Sequence, residues 1–222
     1  MRAPLLAGLA LCFASACAPI GIVQEAGVLR KGLAKGGVAV TASMPMRDGV
    51  ILEPDGAGTG SEEQDLGFTP LPAMVGWYRH GVGAQAEFQV AFEVPSTTTS
   101  VSYKQGLFGV EPDAPFGMAV AVDLGSNTVF GQSSMGGSAV FSGTLTNHVR
   151  WHLNGRVGTW PPLWALPHVT VTGGVSWGRG KIFHARAGWV FDMGSGAPPA
   201  ALLLFGYESS VPTQPRPLMP GS

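Results

Sequence analysis

Over residues 84–94 apolar and polar side chains alternate almost without a break. Ala84, Ala86, Phe88, Val90, Phe92 and Val94 share one parity, and Gln85, Glu87, Gln89 and Glu93 share the other. Successive side chains of a strand point to opposite faces, so this period of two predicts a strand with one apolar and one polar face. The same stretch opens with Gly81, Gly83 and Ala86 at the G-x-G-x-x-A spacing of a dinucleotide fingerprint. That fingerprint works only where it opens a helix, whose free N–H groups hold a pyrophosphate. A helix through 84–94 would scatter Phe88, Val90 and Phe92 among Glu87 and Gln89, whereas a strand sorts every residue except Ala91. The glycines therefore predict a tight turn around 79–83, and Ala73, Val75 and Trp77 alternate on the strand before it.

The sorting recurs along the chain. Val38, Val40, Ala42 and Met44 oppose Ala39, Thr41 and Ser43; Val101 and Tyr103 oppose Ser102 and Lys104; Phe116, Met118, Val120 and Val122 oppose Ala119, Ala121 and Asp123. Downstream, Ala139, Phe141, Leu145, Val149, Trp151 and Leu153 oppose Ser142, Thr144, His148, Arg150, His152 and Asn154. Val169, Val171, Val175 and Trp177 oppose His168, Thr170, Thr172 and Ser176. Phe183, Ala185, Ala187, Trp189 and Phe191 oppose His184, Arg186 and Asp192. With a final run, "AALLLFGY", about nine strand candidates emerge. Single-chain membrane barrels have even strand numbers, so either the run over 137–153 is two strands or one short candidate lies outside the sheet.

Alternation alone fits a soluble sandwich as well as a barrel. Three features favour an all-β, antiparallel up-and-down transmembrane β-barrel of 8–10 strands. One face carries bulky residues on nearly every strand, while the other mixes small residues with single charges, as a narrow lumen requires. Trp77, Tyr78, Trp151, Trp177, Trp189 and Tyr207 sit near strand ends, where membrane barrels carry aromatic girdles. The charges on the polar parity nearly cancel: Glu87, Glu93, Asp123 and Asp192 against Lys104, Arg150, Arg156 and Arg186. These eight form the expected lumen ionic network. Phe88, Val90, Phe92, Trp151, Trp177 and Trp189 are the expected lipid-facing residues.

Composition agrees. Only 12 % of the 222 residues are charged and 33 are glycine, against about 25 % charged in soluble domains. Mean hydropathy is +0.22, yet no run approaches the roughly 20 apolar residues of a spanning helix. A net charge of −1 is no footprint for nucleic acid.

The N-terminal "MRAPLLAGLALCFASAC" has Arg2, an apolar run from Leu5 to Phe13 and small residues from Ala14 to Ala16, the layout of a secretory signal. "ASAC" at 14–17 resembles the lipobox of bacterial lipoproteins, although Ala14 replaces the commonest leucine. The resemblance implies cleavage after residue 16, acylation of Cys17, and with Ala18 following it, sorting to the outer membrane. Cys12 lies in the segment to be removed, so no internal disulfide is expected. Residues 17–35 read as a lipid-anchored tether, 36–209 as the barrel with an acidic loop at 45–69, and 210–222 as a proline-rich disordered tail. The hairpin "GWYRHGVGAQAEFQVAFEV" resembles those of small outer-membrane β-barrel proteins of Gram-negative bacteria, over roughly 36–209. The resemblance implies an outer-membrane lipoprotein barrel with a structural, surface-interaction or narrow-transport role. Its implied partners are outer-membrane lipid and an unspecified surface or periplasmic protein.

The chemistry-bearing residues add little. His148 and His152 have His-x-x-x-His spacing, but on a strand they stand about 13 Å apart and cannot share one ion. The acidic loop lacks the ligand spacing of an EF-hand. Ser133, Ser134, Ser138 and Ser142 offer hydroxyls and His148 or His184 a base, yet no G-x-S-x-G elbow is present. No catalytic residue, metal or cofactor is assigned. Two alternatives stay open: a soluble β-sandwich lipoprotein acting as a tethered binding module, and a barrel hydrolase.

Overall fold

A computed structural model describes residues 25–47, 50–51, 73–94, 97–111, 114–127, 132–160, 163–193 and 199–211. Cys17, most of the acidic loop and the proline-rich tail beyond residue 211 lie outside the described residues. Eleven strands follow in chain order: β1 (Ala34–Arg47), β2 (Val50–Ile51), β3 (Ala73–Gly81), β4 (Ala86–Val94), β5 (Thr98–Phe108), β6 (Gly117–Asn127), β7 (Gln132–Thr146), β8 (Val149–Trp160), β9 (Leu163–Trp177), β10 (Lys181–Asp192) and β11 (Ala200–Val211).

Each strand from β3 to β11 pairs antiparallel with its successor, and β1 pairs with both β3 and β11. The β1–β11 ladder runs from Ala34 opposite Val211 to Pro45 opposite Ala200. It closes the sheet into a ten-stranded barrel, with the two-residue β2 as a small extension of β1. Closure leaves no free edge between the first and last strand, which overturns the sandwich alternative, because a sandwich needs two separate sheets.

The even number arises because the run over 137–153 is two strands, β7 and β8, turning at Asn147 and His148 with a register shift between Thr144 and Thr146. The barrel also begins two residues earlier and ends two later than alternation suggests, at Ala34 and Val211. The double proline at 161–162 separates β8 from β9, and both strands continue to its borders. At the β9–β10 connection, Gly178 and Gly180 adopt φ of 129° and 72°, a region open to glycine and strained for other residues.

The two faces are opposite in character. Val122 is 61 % exposed and Phe205 62 %, whereas Glu87 is 1 % and Lys104 2 %. Bulky apolar side chains therefore cover the outside and ions sit inside, the reverse of a water-soluble protein. Both described chain ends and the connecting residues 82–85, 109–111, 114–116, 147–148 and 178–180 lie at one end of the barrel, here the terminal end. Ile51, which ends β2, and Ala73, which begins β3, lie at the other end, the loop end. Outer aromatics pack in groups towards the terminal end: Phe116 lies 5.9 Å from Trp151, Trp177 5.9 Å from Phe183, and Phe183 5.4 Å from Tyr207.

Trp77 does not join them. It faces the lumen and is buried with Ala39, Val75, Ala91 and Leu204. Its indole lies over Gly37, where a Cβ would collide with the ring, so a strand glycine makes the room that the aromatic fills.

Candidate functional site in the barrel lumen

Inward positions on β3, β4, β5 and β11 assemble a buried ionic cluster. The Arg79 guanidinium donates from Nε to Glu87 Oε1 at 2.9 Å and from Nη2 to Glu87 Oε2 at 3.0 Å. Its Nη1 donates to Glu208 Oε2 at 3.1 Å. The planar fork of arginine suits such double engagement. Lys104, directly across the β4–β5 ladder from Glu87, places Nζ 2.8 Å from its Oε1. Lys35 lies 3.2 Å from Glu208, which also accepts the Trp77 indole N–H at 3.0 Å.

A second pair sits nearer the loop end. Arg156 donates to both Asp123 oxygens, at 3.0 and 2.6 Å, and its Nη1 lies 2.8 Å from His168 Nε2. Because arginine can only donate, His168 Nε2 is the acceptor and its ring proton belongs on Nδ1. Gly136 and Gly158 flank the guanidinium so closely that a Cβ at either would meet it.

The segment before β1, read from sequence as part of a tether, runs into the lumen at the terminal end. Glu25, Ala26 and Leu29 are buried. The Ser176 hydroxyl donates to Glu25 Oε1 at 2.5 Å, Arg150 Nη1 lies 3.9 Å from Oε2, and His184 Nδ1 lies 3.8 Å from Oε1. Lys104 Nζ donates to the carbonyls of Glu25 and Gly27 at 2.7 and 2.8 Å, and Arg79 Nη2 to that of Gly27 at 3.2 Å. In return the Leu29 N–H donates to Glu87 Oε2 at 2.9 Å and the Ala26 N–H to Ser142 Oγ at 3.2 Å. A cavity of about 460 Å³ lies beside the segment, lined by Glu25, Val28, Lys35, Arg150, His148 and Trp177 among others.

Burial alone would push the Glu25 carboxyl up. Arg150, His184, the Ser176 hydroxyl and Arg79 together outweigh it and hold the group well below the usual carboxylate range. A carboxyl depressed on folding contributes stability above its unfolded value and loses it only as pH falls through the lower folded one. The protection factors of the Ala26 and Leu29 amides against hydrogen exchange are therefore expected to hold from about pH 7 to about pH 5, still above the ordinary carboxyl range. A steep fall within that interval would show that Glu25 does not stay ionised in its seat.

Of the eight residues expected in the lumen network, Glu87 with Lys104 and Asp123 with Arg156 form direct pairs. Arg150 has Glu25, in the segment before β1, as its ionic partner. Glu93 and Arg186 are buried on the inward face. Asp192 ends β10 opposite His168, and its side chain lies outside what is described. Phe88, Val90, Phe92, Trp177 and Trp189 are exposed on the outer face, and Trp151 is half-buried against Phe116. His148 is in the exposed β7–β8 turn, where it accepts from Arg179 Nε, while His152 and His184 are buried inside. Ser142 Oγ receives Ala26 N–H and Arg150 Nη2.

Sequence reasoning missed Glu25, Lys35, Arg79 and Glu208. Arg79 carried a usable signal: it shares parity with Val75 and Trp77, so a charge marked that parity as the inner one.

No family model matches the chain, and no curated protein sequence matches it. Solved structures similar to it are barrels. They include a designed transmembrane β-barrel (8 % identity, 83 % of this chain and 99 % of that one, TM-score 0.37). Another is Ail, the attachment invasion locus protein of Yersinia pestis (8 %, 82 % and 99 %, TM-score 0.36). A third is an outer membrane channel from Pseudomonas putida F1 (9 %, 86 % and 100 %, TM-score 0.47).

Proposed function

We propose that the chain is an outer-membrane β-barrel lipoprotein of a Gram-negative bacterium, anchored through Cys17, with a surface-interaction or narrow-transport role. The observation that carries the membrane assignment is the inversion of the barrel: large apolar side chains project outward on every strand from β3 to β8, from Met74, Phe92 and Val101 to Val122, Met135 and Leu153. A continuous apolar exterior of this extent has no stable state in water, whereas a hydrocarbon layer covers it. Strand lengths of 9 to 15 residues in the barrel match the 9–11 or so that a tilted spanning strand needs. The aromatic groups around Trp151, Trp177 and Tyr207 sit where a headgroup belt would receive them. The one connection longer than eight residues, between Ile51 and Ala73, leaves and re-enters the sheet at the loop end, which suits a periplasmic terminal end and an outward loop end. The lipid anchor rests on the "ASAC" resemblance and on the terminal end being the side from which the N-terminal segment enters.

Two measurements test this. Washed outer membranes extracted in mild detergent should give a band that migrates differently before and after boiling, as a closed barrel resists SDS while folded. Metabolic labelling with radioactive palmitate should mark the wild-type chain and not Cys17→Ser, which should retain the heat-dependent shift. Absence of the shift in the wild type would remove the membrane barrel; labelling of Cys17→Ser would remove the anchor and leave the barrel.

A further inference from the structure

Resting on that membrane reading, we propose that residues Glu25–Leu29 are a removable plug, and that the passage behind it conducts small anions in preference to cations. The segment has no place in the sheet. Among the described residues, its backbone and its carboxylate are held by polar contacts, Glu25 to Ser176 and Arg150, Ala26 to Ser142, Gly27 to Arg79 and Lys104, and Leu29 to Glu87, and its apolar packing is small, the Ala26 methyl against Ala119 and Val140. Water can replace such partners one for one when the segment withdraws, whereas a departing strand would strand a whole ladder of backbone groups.

The charge left behind has a sign. Around the segment at the terminal end stand Lys35, Arg79, Lys104 and Arg150, against Glu87 and Glu208. Glu25 is the additional carboxylate that the segment brings, and its removal leaves this group of described residues with two cations in excess. A low-dielectric constriction lined by one sign of charge concentrates the opposite ion. Behind the mouth the lumen stays polar. Gln89, Ser102, Asn154 and His152 are buried on its wall, and Gln89 Nε2, Ser102 Oγ, Asn154 Oδ1 and both His152 nitrogens have no hydrogen-bond partner among the described residues. Buried polar groups of this kind call for water or an ion as partner, which withdrawal of the segment would admit. The cavity beside the segment reaches from Glu25 to the exposed turn at Asn147 and His148, which supplies the entrance.

The test uses the purified full-length protein in planar phosphatidylcholine bilayers under a potassium chloride gradient. Glu25→Gln keeps the shape of the side chain and removes the charge that faces Arg150. Removing the charge from this partly buried contact, and from the Ser176 hydrogen bond beside it, should shift the seated-to-released ratio about tenfold. Time-averaged conductance is expected to rise by that factor over wild type, with a reversal potential on the chloride side. A Val28→Cys, Val110→Cys pair added to this variant, across the Val28 N–H to Val110 carbonyl contact, should silence it when oxidised and restore it when reduced. If Glu25→Gln fails to assemble, Leu29→Asp, which sets a second carboxylate against Glu87, provides the same readout. Wild-type conductance in whichever variant retains the heat-dependent gel shift, a potassium-side reversal potential, or indifference to the disulfide would each overturn the proposal while leaving the membrane barrel standing. Loss of the gel shift in the wild type itself would instead remove the reading on which the proposal rests.

Discussion

Val90→Arg is expected to abolish recovery of folded barrel from membranes, whereas Gln89→Glu, one residue away, leaves assembly intact. The two positions are adjacent in β4 and opposite in space: Val90 is exposed on the outer face and Gln89 is buried in the lumen. Val90 is also the middle residue of its strand, so in a bilayer it lies near the hydrocarbon midplane. An arginine there costs about 2–4 kcal/mol, or roughly one and a half to three orders of magnitude in the folded-to-unfolded ratio. Arginine on the lumen face would meet Arg79, but a carboxylate at position 89 finds a favourable setting. Gln89 stands opposite Arg79 in the β3–β4 ladder and opposite Ser102, two residues from Lys104, in the β4–β5 ladder, so the introduced carboxylate has two cations nearby as well as Glu87. The measurement is the fraction of heat-modifiable protein in washed membranes for each variant at matched expression. Equal loss in both would mean that the two faces of β4 do not meet different solvents, and the membrane assignment would go with it.

That contrast was legible in the residues themselves, because alternation reports which side chains share a face. Phe88, Val90 and Phe92 against Glu87, Gln89 and Glu93 required no knowledge of the rest of the chain. What alternation does not report is which face looks inward when both are apolar. On β3, Ala73, Val75 and Trp77 are the more apolar parity, and Trp77 counts among the expected girdle aromatics, yet this parity lines the lumen, beside Ala91 and Leu204. The lumen tolerates them because Trp77 has a carboxylate for its indole N–H and a glycine beneath its ring, and neither Glu208 nor Gly37 is near it in sequence. Closure was equally hidden. The β1–β11 ladder joins residues more than 150 positions apart, and no local pattern marks them as partners. The segment Glu25–Leu29 has no periodicity at all, since its conformation is set by side chains from β3, β4, β5, β7 and β9 rather than by its own residues. Glu25 was therefore invisible as a member of the network whose cations it faces.

Arg79→Leu is expected to be the most damaging single change inside the barrel. Arg79 is the one described residue that touches both Glu87 and Glu208, and both carboxylates are deeply buried. Removing one partner of a buried ionic contact costs about 3–5 kcal/mol, mostly as the penalty of the charge left behind. The lower part of that range applies here, because Glu87 keeps Lys104 and the Leu29 N–H, and Glu208 keeps Lys35 and the Trp77 indole. Arg79→Lys preserves the charge but offers one point donor where the fork engaged two carboxylates, so its effect should fall between wild type and leucine. Adding Glu208→Gln to Arg79→Leu removes one stranded charge, and the pair should cost less than the sum of the singles. Urea unfolding in detergent micelles, followed by tryptophan fluorescence, measures each variant against wild type. Two further consequences separate this cluster from mere packing. Arg79 also holds the Gly27 carbonyl, so its loss should lower the exchange protection of the Leu29 amide even where the barrel remains folded. Strict additivity of the singles, or wild-type midpoints for Arg79→Leu, would show that Glu87 and Glu208 are satisfied without it and that the lumen is wetter than these contacts imply.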